Sequence, residues 1–180
     1  MSDTKSIASY RTPMPDILSK SGYSAQARDA LMDLDAALFQ WHRALVKGKF
    51  TGELLAETGV DLEPALFQGL MAITRISFGI GREAPEAPTI GMLAEEMSID
   101  PSRASRIASD LISRALVVRE AAQDDGRKSV LVLTPEGKAL FSKVREHRWK
   151  RMLTAFESWD ESDIETFSRL FSRYAVGLQG

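Results

Sequence analysis

Two helix starts of the same kind, Asp100-Pro101 and Thr134-Pro135, frame the stretch that most limits how this chain can fold. Each puts a side-chain oxygen just before a proline. The oxygen accepts a first-turn amide that has no partner inside the helix, and proline has no amide hydrogen to leave unpaired at the first helical position. After Pro101, Ala104, Ile107, Ala108 and Leu111 stand at i, i+3, i+4 and i+7, so one face of this helix is core. Two β-rich runs follow, Leu116–Ala121 and Ser129–Leu133, each too short and too branched for a comfortable helix. Between them lies Gln123-Asp124-Asp125-Gly126-Arg127, and Asp-Gly is a strong hairpin signal because both residues accept positive φ. Thr134-Pro135 then opens a long helix carrying Leu140, Val144, Trp149, Met152, Leu153 and Phe156.

The flanks are helical too. Pro13 and Pro15 forbid a regular helix through residues 1–24, which read as an extended arm. A flexible tail and an arm lying on a partner subunit both fit it. From Ala25, Leu31, Leu34, Leu38, Trp41 and Leu45 make one continuous stripe, with Gly48 as a natural stop. Residues 49–60 read as an acidic loop. A second helix is expected from Asp61, whose side chain would cap it, with Pro64 in the first turn. Its buried face is Leu62, Leu66, Leu70, Ile73 and Ile76, and Gly79, Gly81, Pro85 and Pro88 end it. Thr89 would cap a short helix over Ile90–Met97, and Ser98-Ile99 a tight turn before Asp100. A last helix, capped by Asp160, carries Ile164, Phe167, Phe171, Tyr174 and Leu178. The expected order is helix, helix, short helix, turn, helix, hairpin, long helix, helix: a mainly α fold with a small β wing.

Composition removes many functions. The 180 residues include no Cys, which excludes disulfides, thiolate zinc sites, iron–sulfur clusters, Cys nucleophiles and thiol redox sensing. Two His, His42 and His147, are too few for a His-built metal site without carboxylates or a second subunit, so no metal and no cofactor is expected. No nucleophile–base pair is visible, and Gly79-Ile80-Gly81 lacks the strand and helix start of a phosphate loop, so the chain does not read as an enzyme. No run of apolar residues is long enough to span a membrane, and the first residues do not form a secretory signal. The expectation is a soluble cytoplasmic protein. With 23 basic and 25 acidic residues the formal charge is −2, which argues against a uniformly basic coat but not against a local basic patch.

A short helix, a tight turn, a helix with a polar face and a hairpin make the layout of a winged helix-turn-helix. The second helix of such a pair can lie in the DNA major groove, where base edges present distinguishable donors and acceptors. Here its polar face carries Ser102, Arg103, Ser105, Arg106 and Ser109. These would address bases and phosphates; a merely solvated face, with Arg106 paired to Asp110, is the bland reading. The basic run Lys138, Lys143, Arg145, Arg148, Lys150 and Arg151 reads as a solvated face, or as a partner for acids of a second subunit.

Thr89 through Thr134 resembles the DNA-binding core of the MarR family of bacterial transcription regulators. Leu93-Ala94-Glu95-Glu96-Met97 is similar to the first helix of that family's motif, and Asp100-Pro101-Ser102-Arg103-Ala104-Ser105-Arg106-Ile107 to its recognition helix. Asp125-Gly126-Arg127 followed by Leu133-Thr134 matches its wing pattern D-x-R-x5-L-T. Ala115, Asp110 and Gly126 depart from it, standing where glycine, a basic residue and a basic residue are common. The resemblance divides the chain into residues 25–60 and 157–180 as dimerisation helices with the adjoining loop, and 61–156 as the winged lobe with a long connecting helix. It implies a homodimer on a pseudo-palindromic duplex operator, with Arg127 in the minor groove, held by Asp125 and flanked by Lys128. It also implies a repressor released by a small aromatic or phenolic ligand, which would sit near Trp41, His42, Met71 and Arg75. For Trp41 a place in the core or dimer interface is the alternative, and for His42 a solvated side chain. A winged helix that binds protein and no longer binds DNA is the alternative function.

Overall fold

A computed structural model of the chain describes residues 15–122 and 129–178. It divides into two compact units, Met1–Glu53 and Leu54–Gly180. In the first, Pro15 precedes a one-turn helix, α1 (Asp16–Ser19), inside the stretch expected to be extended. Ser24 has β-region backbone angles, and its hydroxyl accepts the Ala27 amide at 3.2 Å to cap α2 (Ala25–Val46). Gly48, at φ 67°, closes that helix as expected. The stripe residues Leu31, Leu34, Trp41 and Leu45 are exposed on it.

The expected loop at 49–60 is instead a helix, α3 (Lys49–Thr58), and the boundary between the units falls within it. Thr58 is buried and gives its hydroxyl proton to the Leu54 carbonyl at 2.6 Å. Leu54 and Leu55 are half-buried. The acids that suggested a loop are helix residues. Glu57 meets His147 Nε2 at 2.5 Å and lies 3.8 Å from Arg151.

In the second unit, α4 (Pro64–Phe78) starts three residues later than expected. Proline at the first position fixes the start, and the residue before it, Glu63, supplies no side-chain cap. Then come α5 (Ile90–Met97), capped by Thr89 through the Met92 amide, and α6 (Pro101–Ser113), capped by Asp100 through the Arg103 amide. Leu70 and Ile73 of α4, Leu93 of α5 and Leu111 of α6 are fully buried in one cluster. α4 and α6 approach so closely at Gly69 that a Cβ there would run into the Ile107 side chain.

Strands β1 (Val117–Ala121) and β2 (Ser129–Leu133) pair antiparallel, from Val117 opposite Leu133 to Ala121 opposite Ser129. The Leu131 amide, on the other edge of β2, donates to the Pro88 carbonyl at 2.8 Å, so the proline-rich connector is tied to the wing. Helix α7 (Pro135–Ala155) begins with Thr134 capping through the Gly137 amide. Helix α8 (Glu161–Gly177) follows; Asp160 sits at its cap position but makes no side-chain cap bond, so that expectation is only half met. The α7–α8 corner is held by rings: Phe156, Trp159 and Phe167 pack with centroids 5.1–5.9 Å apart.

One joint fastens these parts. Helix α6 ends with the Ala115 amide on the Ile112 carbonyl (2.9 Å) and the Leu116 amide on the Leu111 carbonyl (3.0 Å). This closure needs a left-handed residue, and Ala115 takes it at φ 56°. The Thr134 hydroxyl donates to the Ala115 carbonyl at 2.7 Å, and the Thr134 amide to the Leu116 carbonyl at 3.2 Å. Gly137 lies so near the Leu116 carbonyl that any Cβ would collide with it. Alanine in the left-handed region costs about 1–2 kcal/mol. Ala115→Gly is therefore expected to raise unfolding stability by about 1 kcal/mol, after glycine's own entropy loss. It should appear as a higher denaturant midpoint at unchanged slope.

Candidate nucleic-acid interface

The candidate face is the outer side of α6. Its inner side, Ala104, Ile107, Ala108 and Leu111, is buried, so the helix cannot rotate without exposing core. That leaves Ser102, Arg106 and Ser109 in a row at i, i+4 and i+7, all exposed, with Arg103 exposed one turn before Arg106 and Ser105 half-buried at the edge. The alternative pairing of Arg106 with Asp110 does not form: Arg106 has no ion pair among the described residues.

The N-terminal turn of the helix is tightly held. Asp100 Oδ1 accepts both the Ser102 hydroxyl and the Arg103 amide, the latter at 2.9 Å. These bonds, the hydroxyl first, hold the Asp100 carboxyl below its ordinary value. The Ser109 hydroxyl donates back to the Ser105 carbonyl at 2.9 Å. The Ser102 and Ser109 hydroxyls thus both donate within α6 and its cap. Arg103 lines a shallow cleft with Gln68, Arg75, Glu96 and Met97.

Of the wing residues, Asp125, Arg127 and Lys128 lie outside the described residues, as does Gly126. The described ladder of β1 and β2 ends at Ala121 opposite Ser129. It exposes a cation that the sequence reading passed over, Arg119, in the middle of β1 opposite Leu131. No alternation announced it, because β1 is exposed from Val118 onward and Arg119 falls in register with buried Leu131. Arg114 was also missed. It forms the C-terminal cap of α6 and reaches the Asp61 carbonyl at 3.2 Å.

The four effector candidates fall on two units. Trp41 and His42 are exposed on α2 of the first. Met71 and Arg75 are one turn apart on α4 of the second, where Met71 packs against the core. The Arg75 guanidinium is already engaged. Its Nε donates to Glu96 at 2.7 Å, and Glu96 also takes Arg82 at 3.2 Å, while Arg82 holds Glu86 at 2.7 Å. Glu86, then the charge of Glu96, keeps the Arg82 guanidinium more firmly protonated than usual. This chain of ions fastens α5 to the end of α4. Among the described residues no cluster of acids and His could hold a metal, and no helix is long and apolar enough to cross a membrane.

Comparison with known proteins agrees with this geometry. Residues 78–128 match the model of the MarR family. An uncharacterized HTH-type transcriptional regulator, YxaD of Bacillus subtilis, is 32% identical over 81 residues, covering 45% of this chain and 57% of that protein's length. Among solved structures, a MarR family protein from Bacillus stearothermophilus superimposes with a TM-score of 0.66 over 84% of this chain and 97% of its own, at 18% identity. CouR from Rhodococcus jostii, solved bound to p-coumaroyl-CoA, gives 0.52 over 79% of this chain and 92% of its own, at 19% identity.

The Asp100 cap carries a pH signature. A carboxyl whose pKa is lower folded than unfolded adds stability above its unfolded pKa, and loses it as pH falls through the folded one. Asp100→Asn keeps a capping oxygen but cannot titrate. The variant should lose less thermal stability than the parent on acidification below about pH 4, read as melting temperature against pH.

Proposed function

We propose that this chain, a member of the MarR family, is a sequence-specific DNA-binding transcription regulator working as a homodimer, a repressor released by a small ligand. The observation that carries the reading is the outer face of α6: two exposed arginines, neither in an ion pair among the described residues, on a helix that cannot turn. Arginine suits the task because its planar fork can take guanine bidentately, and phosphates as well. Ser102, Ser105 and Ser109 add hydroxyls for bases or phosphates. Asp125, Arg127 and Lys128, which the sequence pattern assigns to the wing, and Arg119, exposed on β1, are the proposed second contact.

Exposed apolar side chains support the dimer. Helix α2 exposes Leu31, Leu34, Trp41 and Leu45, and α8 exposes Phe167, Leu170, Phe171 and Tyr174, with Leu170 at 48%. The Phe167 and Phe171 rings stack at 5.5 Å. Runs of this kind in water mark association surfaces, and two-fold pairing would set two α6 helices on half-sites one turn of duplex apart. Release by a ligand follows if the ligand favours a spacing that no longer fits the grooves. The p-coumaroyl-CoA in CouR supports a small-molecule effector. On α4, Met71 and Arg75 remain its proposed neighbours, Arg75 through the Glu96 link rather than as a free cation.

Arg106→Ala is expected to cost operator binding about 1–3 kcal/mol, roughly 5- to 150-fold in a gel-shift titration, with melting temperature unchanged. Arg127→Ala should act in the same direction. If both bind operator as the parent does, these arginines are not the contacts; if the parent itself retains no duplex, the chain is the protein-binding winged helix instead. Truncation before Asp160 should give monomers or aggregates by light scattering; a well-behaved dimer would remove α8 from assembly.

A further inference from the structure

The proline-rich connector between α4 and α5, residues 79–88, is folded back on itself and pinned at both ends, and no role above uses it. At its start Gly79, left-handed at φ 65°, lies so near Ala84 and Pro85 that a Cβ would collide with their backbone. The Glu86 amide returns to the Ile76 carbonyl at 3.1 Å. Arg82 crosses the fold. Its Nε and Nη2 donate to one oxygen of Glu86 at 3.0 and 2.7 Å, and its Nη1 donates to Glu96 of α5 at 3.2 Å. An isolated surface pair holds little. One planar fork bridging two carboxylates, of which Glu96 is only 20% exposed, holds more. At the far end Pro88 is buried, and its carbonyl accepts the Leu131 amide at 2.8 Å. Leu131 is the middle residue of β2, opposite Arg119.

A two-stranded ribbon tied only at its base can pivot there. The base tie is the Thr134 amide on the Leu116 carbonyl. The Pro88 bond is a second tie, halfway along the ladder, and two ties fix the tilt. We propose that residues 79–88 are a strut that sets the tilt of β1 and β2 against α6, and that Arg82 is its positioning residue. Arg82 acts through the loop, not by touching DNA: it holds the turn whose Pro88 carbonyl holds Leu131, and across the ladder Arg119. The consequence for DNA rests on the regulator reading above, whereas the strut itself does not.

The test is amide hydrogen exchange of the whole protein by NMR, without DNA, in the parent, in Arg82→Gln and in Arg145→Gln, a control at an exposed cation of α7. In Arg82→Gln the Leu131 amide should exchange about tenfold faster or more, while the Thr134 amide keeps its protection because the base tie is untouched. Arg145→Gln should match the parent at both amides. On a duplex, Arg82→Gln should lose hydroxyl-radical protection of the minor groove and keep protection of guanine N7 in the major groove. The proposal is overturned by unchanged exchange at Leu131, by equal acceleration at Leu131 and Thr134, or by a footprint that stays whole or fades evenly in both grooves. If the parent protects no duplex, the regulator reading fails, and the exchange result alone decides the strut.

Discussion

Two backbone carbonyls, those of Ala115 and Leu116, hold the second unit in register. Thr134 bonds to both, Gly137 lies against the second, and the Schellman closure of α6 runs through the amides of the same two residues. A few atoms therefore set the end of α6, the start of β1 and the first turn of α7 together. None can tilt without disturbing the others, because every group at the joint is a short hydrogen bond or a steric stop. A residue at φ 56° that is not glycine shows that the closure is kept at a local cost.

That rigidity gives meaning to the charges. The chain is net acidic, at −2, yet α6 shows water two arginines and three serines along one side. Overall charge is a poor guide to what a surface binds, whereas the fixed placement of a few cations is a good one. Acids here serve structure. Glu96 ties Arg75 and Arg82 together, Glu57 meets His147, and Asp100 caps the helix that carries the arginines. The two glutamates set their charge against neighbouring cations, and Asp100 spends its carboxylate on the first turn of α6.

Much of this was legible in the residues. Thr89, Asp100-Pro101 and Thr134-Pro135 mark helix starts because capping and the missing proline amide are local effects, independent of tertiary contacts. The periodicity of Ala104, Ile107, Ala108 and Leu111 gave the buried side of α6, and hence its free side. Ala115 already stood out where glycine is common, and its left-handed angles show what the exchange costs. The misses have tertiary causes. Helix α3 owes its order to Thr58 and half-buried leucines, with Glu57 set against α7, none of which composition reveals. Proline geometry overrode the Asp61 cap at the start of α4. The bond from Leu131 to Pro88, and the Arg75–Glu96 pair, join residues far apart in sequence.

The most direct measurement is the affinity of the protein for a pseudo-palindromic duplex from its own genome, by fluorescence anisotropy, as salt is raised from about 50 to 200 mM. If the α6 and wing cations neutralise phosphates, log affinity falls linearly with log salt, by about 0.9 for each contact. Replacing Arg103 by Gln should make the slope shallower by about one. Binding that ignores salt, or no binding even at the lowest salt, would contradict the account.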